Sequence, residues 1–278
     1  MYRIVKKEAL KPTVILYEIE APMVAKKAEP GQFIILRVDE NGERIPITIH
    51  DYDREKGTVT IIVQTVGATT EKLSHKQQGE CLHDFVGPLG KPTETEGKKK
   101  VCVVGGGVGC AIAYPVAKKL AASGCEVHTI VGFRSRDLLI LEDEFKAVSD
   151  RYFVMTDDGS YGEKGLVTDA LRKLLESGEK YDEVIAIGPL VMMKFVCALT
   201  KEFGVKTMIS MNPIMIDGTG MCGCCRLTVG GEMKFACVDG PDFDGHQVDF
   251  NEAMDRLTMY RPQEAERREA HCNLFKGV

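Results

Sequence analysis

Between residues 3 and 90 the apolar side chains come in short runs. Thr13–Glu20, Phe33–Val38, Ile45–His50 and Thr58–Thr65 alternate with polar positions or run apolar, rich in Val, Ile and Thr between Pro and Gly. A period of two marks half-buried strands, and such strands in succession predict a small antiparallel barrel or sandwich. At the charged stretch Glu94–Lys100 the period changes. Val101–Val104 reads as a buried strand, Gly105–Gly109 as a tight turn and Ala111–Ala122 as a helix. The strands Glu126–Val131, Tyr152–Thr156, Glu183–Ile187 and Lys206–Ile209 follow, with helical stretches Leu138–Val148, Leu166–Leu175 and Met192–Phe203 between them. This alternation predicts a doubly wound parallel sheet. Residues 210–250 are irregular apart from a hairpin, Arg226–Val229 and Lys234–Cys237 about Gly230-Gly231. Asn251–Tyr260 and Gln263–Phe275 are charged and helix-prone on either side of Pro262. The pattern thus divides the chain at 1–97, 98–210, 211–250 and 251–278.

Composition narrows the function classes. A net charge of −5 over 278 residues gives no basic excess for nucleic acid. No apolar run reaches the roughly 20 residues of a membrane span. Met1–Glu8 alternates and has no apolar signal core. Of ten cysteines, Cys102, Cys110, Cys125 and Cys197 lie inside apolar segments, where a thiol is a small hydrophobe. The expected compartment is a reducing cytoplasm.

Four other cysteines change the picture. Cys222, Cys224 and Cys225 crowd a glycine-rich loop, and Cys237 follows across the hairpin. Cys222-x₂-Cys225…Cys237 fits the later ligands of a plant-type [2Fe–2S] loop. Five residues before Cys222, where the first cysteine belongs, stands Asp217. The loop therefore reads as an iron–sulfur site with one oxygen ligand. A zinc knot of Cys222, Cys225, Cys237 and His246 is the alternative.

Further candidates lie upstream. Arg44-Ile-Pro46-Ile47-Thr48 places a cation and a hydroxyl on one extended segment. Gly67, Thr69 and Thr70 open a helix in a way that suits phosphate oxygens. Gly87-Pro88-Leu89-Gly90 reads as a turn where backbone approaches a flat ring. Gly105, Gly106, Gly107, Val108 and Gly109 form a glycine-rich strand-to-helix turn. It suits a nucleotide, although it lacks the final glycine of G-x-G-x-x-G. Asp157-Asp158 and Gly188-Pro189 close later strands of the same sheet. Taken singly, each of these is equally an ordinary turn.

In this order the motifs resemble the ferredoxin–NADP reductase superfamily. Leu141-Glu-Asp-Glu-Phe145, Thr156–Gly162 and Met211–Cys225 further resemble the small subunit of NADH-dependent reduced ferredoxin:NADP oxidoreductases, also known as the sulfide dehydrogenase beta subunit. The electron-transfer subunit of dihydroorotate dehydrogenase is a cousin. The resemblance implies a six-stranded antiparallel barrel for FAD, an α/β domain for NAD(H), a [2Fe–2S] segment and a helical tail. By the same resemblance Arg44 holds the FAD pyrophosphate, and Thr48 lies near flavin N5. Gly67, Thr69 and Thr70 cradle FAD phosphates, while Gly105–Gly109 and Gly188-Pro189 border the nicotinamide nucleotide. Pro46 and Ile47 replace the aromatic that often stacks on the flavin, and Ile187 replaces a frequent cysteine beside the nicotinamide, so no side-chain acid or base is assigned. Arg134-Ser135-Arg136 suits a 2′-phosphate and Asp157-Asp158 opposes one; the family favours NAD(H). The implied partner is a larger flavin and iron–sulfur subunit, which handles ferredoxin and NADP(H) by electron bifurcation; the charged tail Pro262–Val278 reads either as a solvated face or as a dock for a partner subunit. The competing expectations are a dihydroorotate dehydrogenase subunit, which typically has four cysteines, and a zinc-stapled binding protein.

Overall fold

The computed structural model describes residues 1–266. Its first eight strands are β1 (Tyr2–Lys11), β2 (Val14–Glu20), β3 (Phe33–Arg37), β4 (Ile45–Thr48), β5 (Asp51–Asp53), β6 (Thr58–Gln64), β7 (Cys81–Leu82) and β8 (Asp84–Leu89). They form a five-stranded sheet in the order β5-β6-β2-β1-β7 and a three-stranded sheet in the order β4-β3-β8. Six of them span four residues or more, and β5 and β7 are the short additions. Every pairing within these two sheets is antiparallel. The inward row includes Tyr17, Ile19, Ile34, Leu36, Ile61 and Phe85, all buried. Two short helices, α1 (Pro22–Ala25) and α2 (Ala68–His75), close this unit. The Tyr17 hydroxyl donates to the Leu73 carbonyl at 3.0 Å, which seats α2 on the barrel.

Gly87, Pro88 and Leu89 form the end of β8 rather than a turn. Phe33 faces Leu89 and Ile35 faces Val86, so the strand bulges at this point. A Cβ on Gly87 would lie 2.6 Å from Ile34 Cγ2, and one on Gly90 2.9 Å from the Phe33 ring. Close packing of backbone on barrel side chains, invisible to a turn-signal reading, is what requires these glycines.

The second unit carries β9 (Lys100–Gly106), α3 (Cys110–Ala122), β10 (Glu126–Phe133), α4 (Glu142–Val148), β11 (Arg151–Thr156), β12 (Glu163–Lys164), α5 (Val167–Glu176), β13 (Glu183–Ile187), α6 (Leu190–Glu202) and β14 (Thr207–Ser210). Two corrections follow. Gly105 and Gly106 stay in β9, because Gly105 pairs with both Val131 and Ile187. The helix expected from Leu138 starts only at Glu142, since Leu141 adopts φ 60° and breaks the run. The sheet order is β12-β11-β10-β9-β13-β14, with β17 (Asp242–Asp244) beyond β14. The winding reverses between β9 and β13, which opens a crevice at their carboxyl ends.

The cysteine segment is sewn into both units. Its hairpin is β15 (Arg226–Val229) and β16 (Glu232–Phe235), and β17 (Asp242–Asp244) adds antiparallel to β14. The Lys91 amide donates to the Gly240 carbonyl at 2.7 Å, and the Thr93 hydroxyl donates to Asp242 Oδ2 at 2.5 Å. Across the two larger units, His50 Nδ1 meets the Ala111 carbonyl at 2.7 Å and Lys118 meets Asp51 at 2.8 Å. Helix α7 (Phe250–Arg256) is capped by the Asp249 carboxylate. A turn and a second helical segment over 261–266 follow. The rest of the expected Gln263–Phe275 helix, and most of Pro262–Val278, lies outside the described residues.

Candidate functional site

The cysteine loop curls around Asp217. Its Oδ1 accepts from the Thr219 amide at 3.0 Å and its Oδ2 from the Cys222 amide at 2.9 Å. These N–H groups, Thr219's foremost, hold the carboxyl below the usual range. Cys225 and Cys237 are buried, and the Cys237 amide donates to the Cys225 sulfur at 3.5 Å. Burial pushes the Cys237 thiol up to about 12. Cys222 is exposed at the mouth and Cys224 half-buried beside it. Among the described residues no three His, Cys, Asp or Glu side chains converge on a point fit for one metal ion. His246, the fourth member of the zinc alternative, instead meets the Thr200 hydroxyl at 3.0 Å, in a network with Thr207. It is no part of the loop.

The Arg44 strand and the α2 turn face this loop across one cleft of about 1120 Å³. Arg44, Pro46, Gly67, Thr69 and Thr70 line its barrel side, and Cys222 and Cys224 line the far side. Arg44 Nε donates to the Ile216 carbonyl at 2.8 Å, immediately before Asp217, and Arg44 Nη1 lies 3.6 Å from Asp84. The anchored Nε and the Asp84 carboxylate near Nη1 orient the guanidinium, and Nη2 is left for an anion. The Thr70 hydroxyl is taken up by its own turn, accepting from the Val66 and Gly67 amides, each at 3.0 Å. Thr69 donates to Glu43 at 2.6 Å. Backbone rather than these hydroxyls is therefore what α2 offers a phosphate, and a Cβ at Gly67 would meet nothing within 4 Å. The Thr48 hydroxyl makes no hydrogen bond among the described residues. Ile47, beside Thr48 on β4, pairs with Ile34 on β3.

Below the loop, a Cβ on Gly218 would lie 2.5 Å from Leu89 Cδ1. The Gly87–Gly90 segment and the cysteine loop are thus packed on each other. Sequence reasoning missed this contact, the Ile216 carbonyl and Arg256. Arg256 Nη2 donates to the Cys224 carbonyl at 3.0 Å from α7. No spacing signal links residues so far apart in the chain.

The crevice between β9 and β13 gathers Gly105–Gly109 with Gly188-Pro189. A Cβ on Gly109 would stand 2.6 Å from the Ile187 carbonyl oxygen and 2.7 Å from Gly188 Cα. Gly107 differs, with φ +54° and open space beyond its missing Cβ. Gly109 serves close packing, whereas Gly107 and Val108 present backbone to the crevice. Gly109→Ala should cost about 1–3 kcal/mol by overpacking, a Tm loss of about 2–10 °C in a thermal melt. Gly107→Ala should lower Tm less but weaken NADH binding in a titration, because its methyl group enters the open space. Equal losses of both kinds from the two variants would refute this division.

At the outer ends of β10 and β11 the Asp158 amide donates to the Arg134 carbonyl at 3.2 Å, so these loops lie together as expected. Asp158 is spent on its turn, accepting from the Ser160 amide at 2.9 Å. Arg134 and Asp157 are exposed. Arg136 instead lies over the Tyr161 ring, 5.2 Å from its centroid.

Comparison with known proteins agrees with this layout. Residues 212–249 match the iron-sulfur cluster binding domain of dihydroorotate dehydrogenase B, and residues 103–198 the oxidoreductase NAD-binding domain. A Clostridium beijerinckii protein named for its place in the adh 3' region is 54% identical over 95% of this chain and 92% of its own. The Thermotoga maritima homologue of the dihydroorotate dehydrogenase B (NAD(+)) electron transfer subunit is 51% identical over 94% of this chain and 92% of its own. A chain from the structure of the NADH-dependent reduced ferredoxin-NADP oxidoreductase, studied for flavin-based electron bifurcation, superposes with a TM-score of 0.92. It is 49% identical, with 97% of each chain covered. Alike in sequence and fold over nearly its whole length, the chain belongs to the family of dihydroorotate dehydrogenase B electron-transfer subunits and their homologues.

Proposed function

We propose that the chain is the electron-transfer subunit of a flavin-based bifurcating oxidoreductase, holding FAD, NAD(H) and a [2Fe–2S] cluster and serving a larger flavin and iron–sulfur partner. The observation that carries this reading is the single cleft lined by both the Arg44 motif and the cysteine loop. A flavin held there would supply hydride exchange with a nicotinamide and one-electron exchange with a cluster held by the cysteine loop.

The residues present fit these groups. Arg44 and the α2 N-terminus face the FAD pyrophosphate, with Thr48 further along the same strand toward the flavin ring. Pro46 and Ile47 offer aliphatic rather than aromatic contact. The open backbone at Gly107 and Val108, opposite Gly188-Pro189, receives NAD(H), and Asp157 disfavours a 2′-phosphate. Cys222, Cys225 and Cys237 supply thiolates to the cluster and Asp217 supplies an oxygen. A carboxylate oxygen has two lone pairs, so the amide bonds to Asp217 orient it and leave a lone pair free for iron. Cys224 stays outside. Ferredoxin and NADP(H) react through the partner, in the cytoplasm. Among the described residues no helix is long and apolar enough to cross a membrane.

Anaerobic purification should yield a coloured protein with stoichiometric FAD and iron, bleached by NADH. A colourless, zinc-loaded product would sink the proposal in favour of the stapled binding protein.

A further inference from the structure

The cleft has a third wall that its motifs leave unexplained. Residues 257–265 leave α7 through a turn into the 261–266 helical segment, and Met259, Tyr260 and Arg261 line the same space as Arg44 and Gly67–Thr70. This strap is firmly rooted. Arg256 holds the Cys224 carbonyl, and Glu252 Oε2 accepts from the Thr228 amide at 2.9 Å. Its turn is well bonded: the Thr258 amide reaches the Asp255 carbonyl at 3.0 Å and the Glu264 amide the Tyr260 carbonyl at 2.9 Å. Yet Met259 and Tyr260, 52% and 50% exposed, leave much of their apolar surface open beside the cleft.

Neither Thr48 nor Gly90 lines this cleft, whereas the α2 turn does. Of the residues assigned to the flavin ring only Pro46 reaches this lining, whereas Arg44, Gly67, Thr69 and Thr70, all assigned to the phosphates, line it, so the space lies mainly beside the phosphates. We propose that the strap is the adenosine-side wall of the FAD site. The Tyr260 ring and the Met259 thioether cover the adenosine half, and Arg261 adds a cation facing the pyrophosphate across from Arg44. Ligand pockets combine apolar walls with a few placed polar groups. An aromatic ring and a thioether suit a purine face, and opposed guanidinium groups suit a diphosphate. This inference rests on the FAD reading above.

FMN lacks the adenosine half, which makes the test specific. The full chain, cluster-loaded and purified anaerobically without its partner, is freed of flavin and titrated separately with FAD and FMN. Wild type should bind FAD more tightly than FMN. Met259→Ala/Tyr260→Ala should weaken FAD about tenfold, the size of a lost aromatic contact with its buried area, and leave FMN affinity and iron content unchanged. Arg261→Ala should also weaken FAD selectively. Unchanged FAD affinity in both variants would overturn the proposal and return the strap to partner docking. A parallel fall for FAD and FMN would overturn it as well, since that reports general damage. Failure of the wild type to bind either flavin would instead sink the functional reading on which it rests.

Discussion

Replacing Cys225 or Cys237 by Ser should leave a protein with little or no iron. Both side chains are buried, so a replacement ligand from solvent has no easy approach. Soft thiolates are what an iron–sulfur centre takes, and serine offers a harder, more basic oxygen. Cys222→Ser at the exposed mouth should disturb the cluster less completely. Cys224→Ser should change little, because its sulfur sits beside Cys222 and its carbonyl is the group that Arg256 holds. Asp217 makes the sharper test. Asp217→Cys should retain iron while the visible spectrum and midpoint potential move toward an all-thiolate centre. If Cys224→Ser loses the cluster while Asp217→Ala keeps its spectrum, Asp217 is only the acceptor of the Thr219 and Cys222 amides, and the oxygen-ligand assignment fails.

The second large effect concerns Arg44. Arg44→Ala should weaken FAD by about tenfold to a hundredfold, the equivalent of the 1.5–3 kcal/mol typical of a charged hydrogen bond. The same change removes the 2.8 Å bond from Arg44 Nε to the Ile216 carbonyl. Asp217 is the next residue, so the cluster spectrum should also shift, although no ligand has been touched. Arg44→Lys keeps the charge without the fork and should fall between the two. A flavin titration and a visible spectrum read both effects. Unchanged FAD affinity in Arg44→Ala would reduce Arg44 to a brace between barrel and loop.

Much of this molecule was legible in its sequence, because local rules act over short spans. The period-two runs became β2, β3, β4 and β6, and the alternation after Lys100 became the parallel sheet. The Cys222, Cys225 and Cys237 spacing fell within the segment that matches an iron–sulfur binding domain. What sequence reasoning misjudged has a common cause. Gly87 and Gly90 look like turn residues, but neighbouring side chains of the barrel leave no room for a Cβ there, so packing decides their role. His246 stands near the cysteines in the chain, and β17 carries it to Thr200 instead. Above all, the joining of Arg44 to Ile216 and of Arg256 to Cys224 spans distances in sequence over which no periodicity or motif carries information. Spacing along the chain grouped the residues of each candidate motif. Only the tertiary fold, by closing long loops against one another, decided that the Arg44 motif and the cysteine loop share one cleft and that the C-terminal strap walls it.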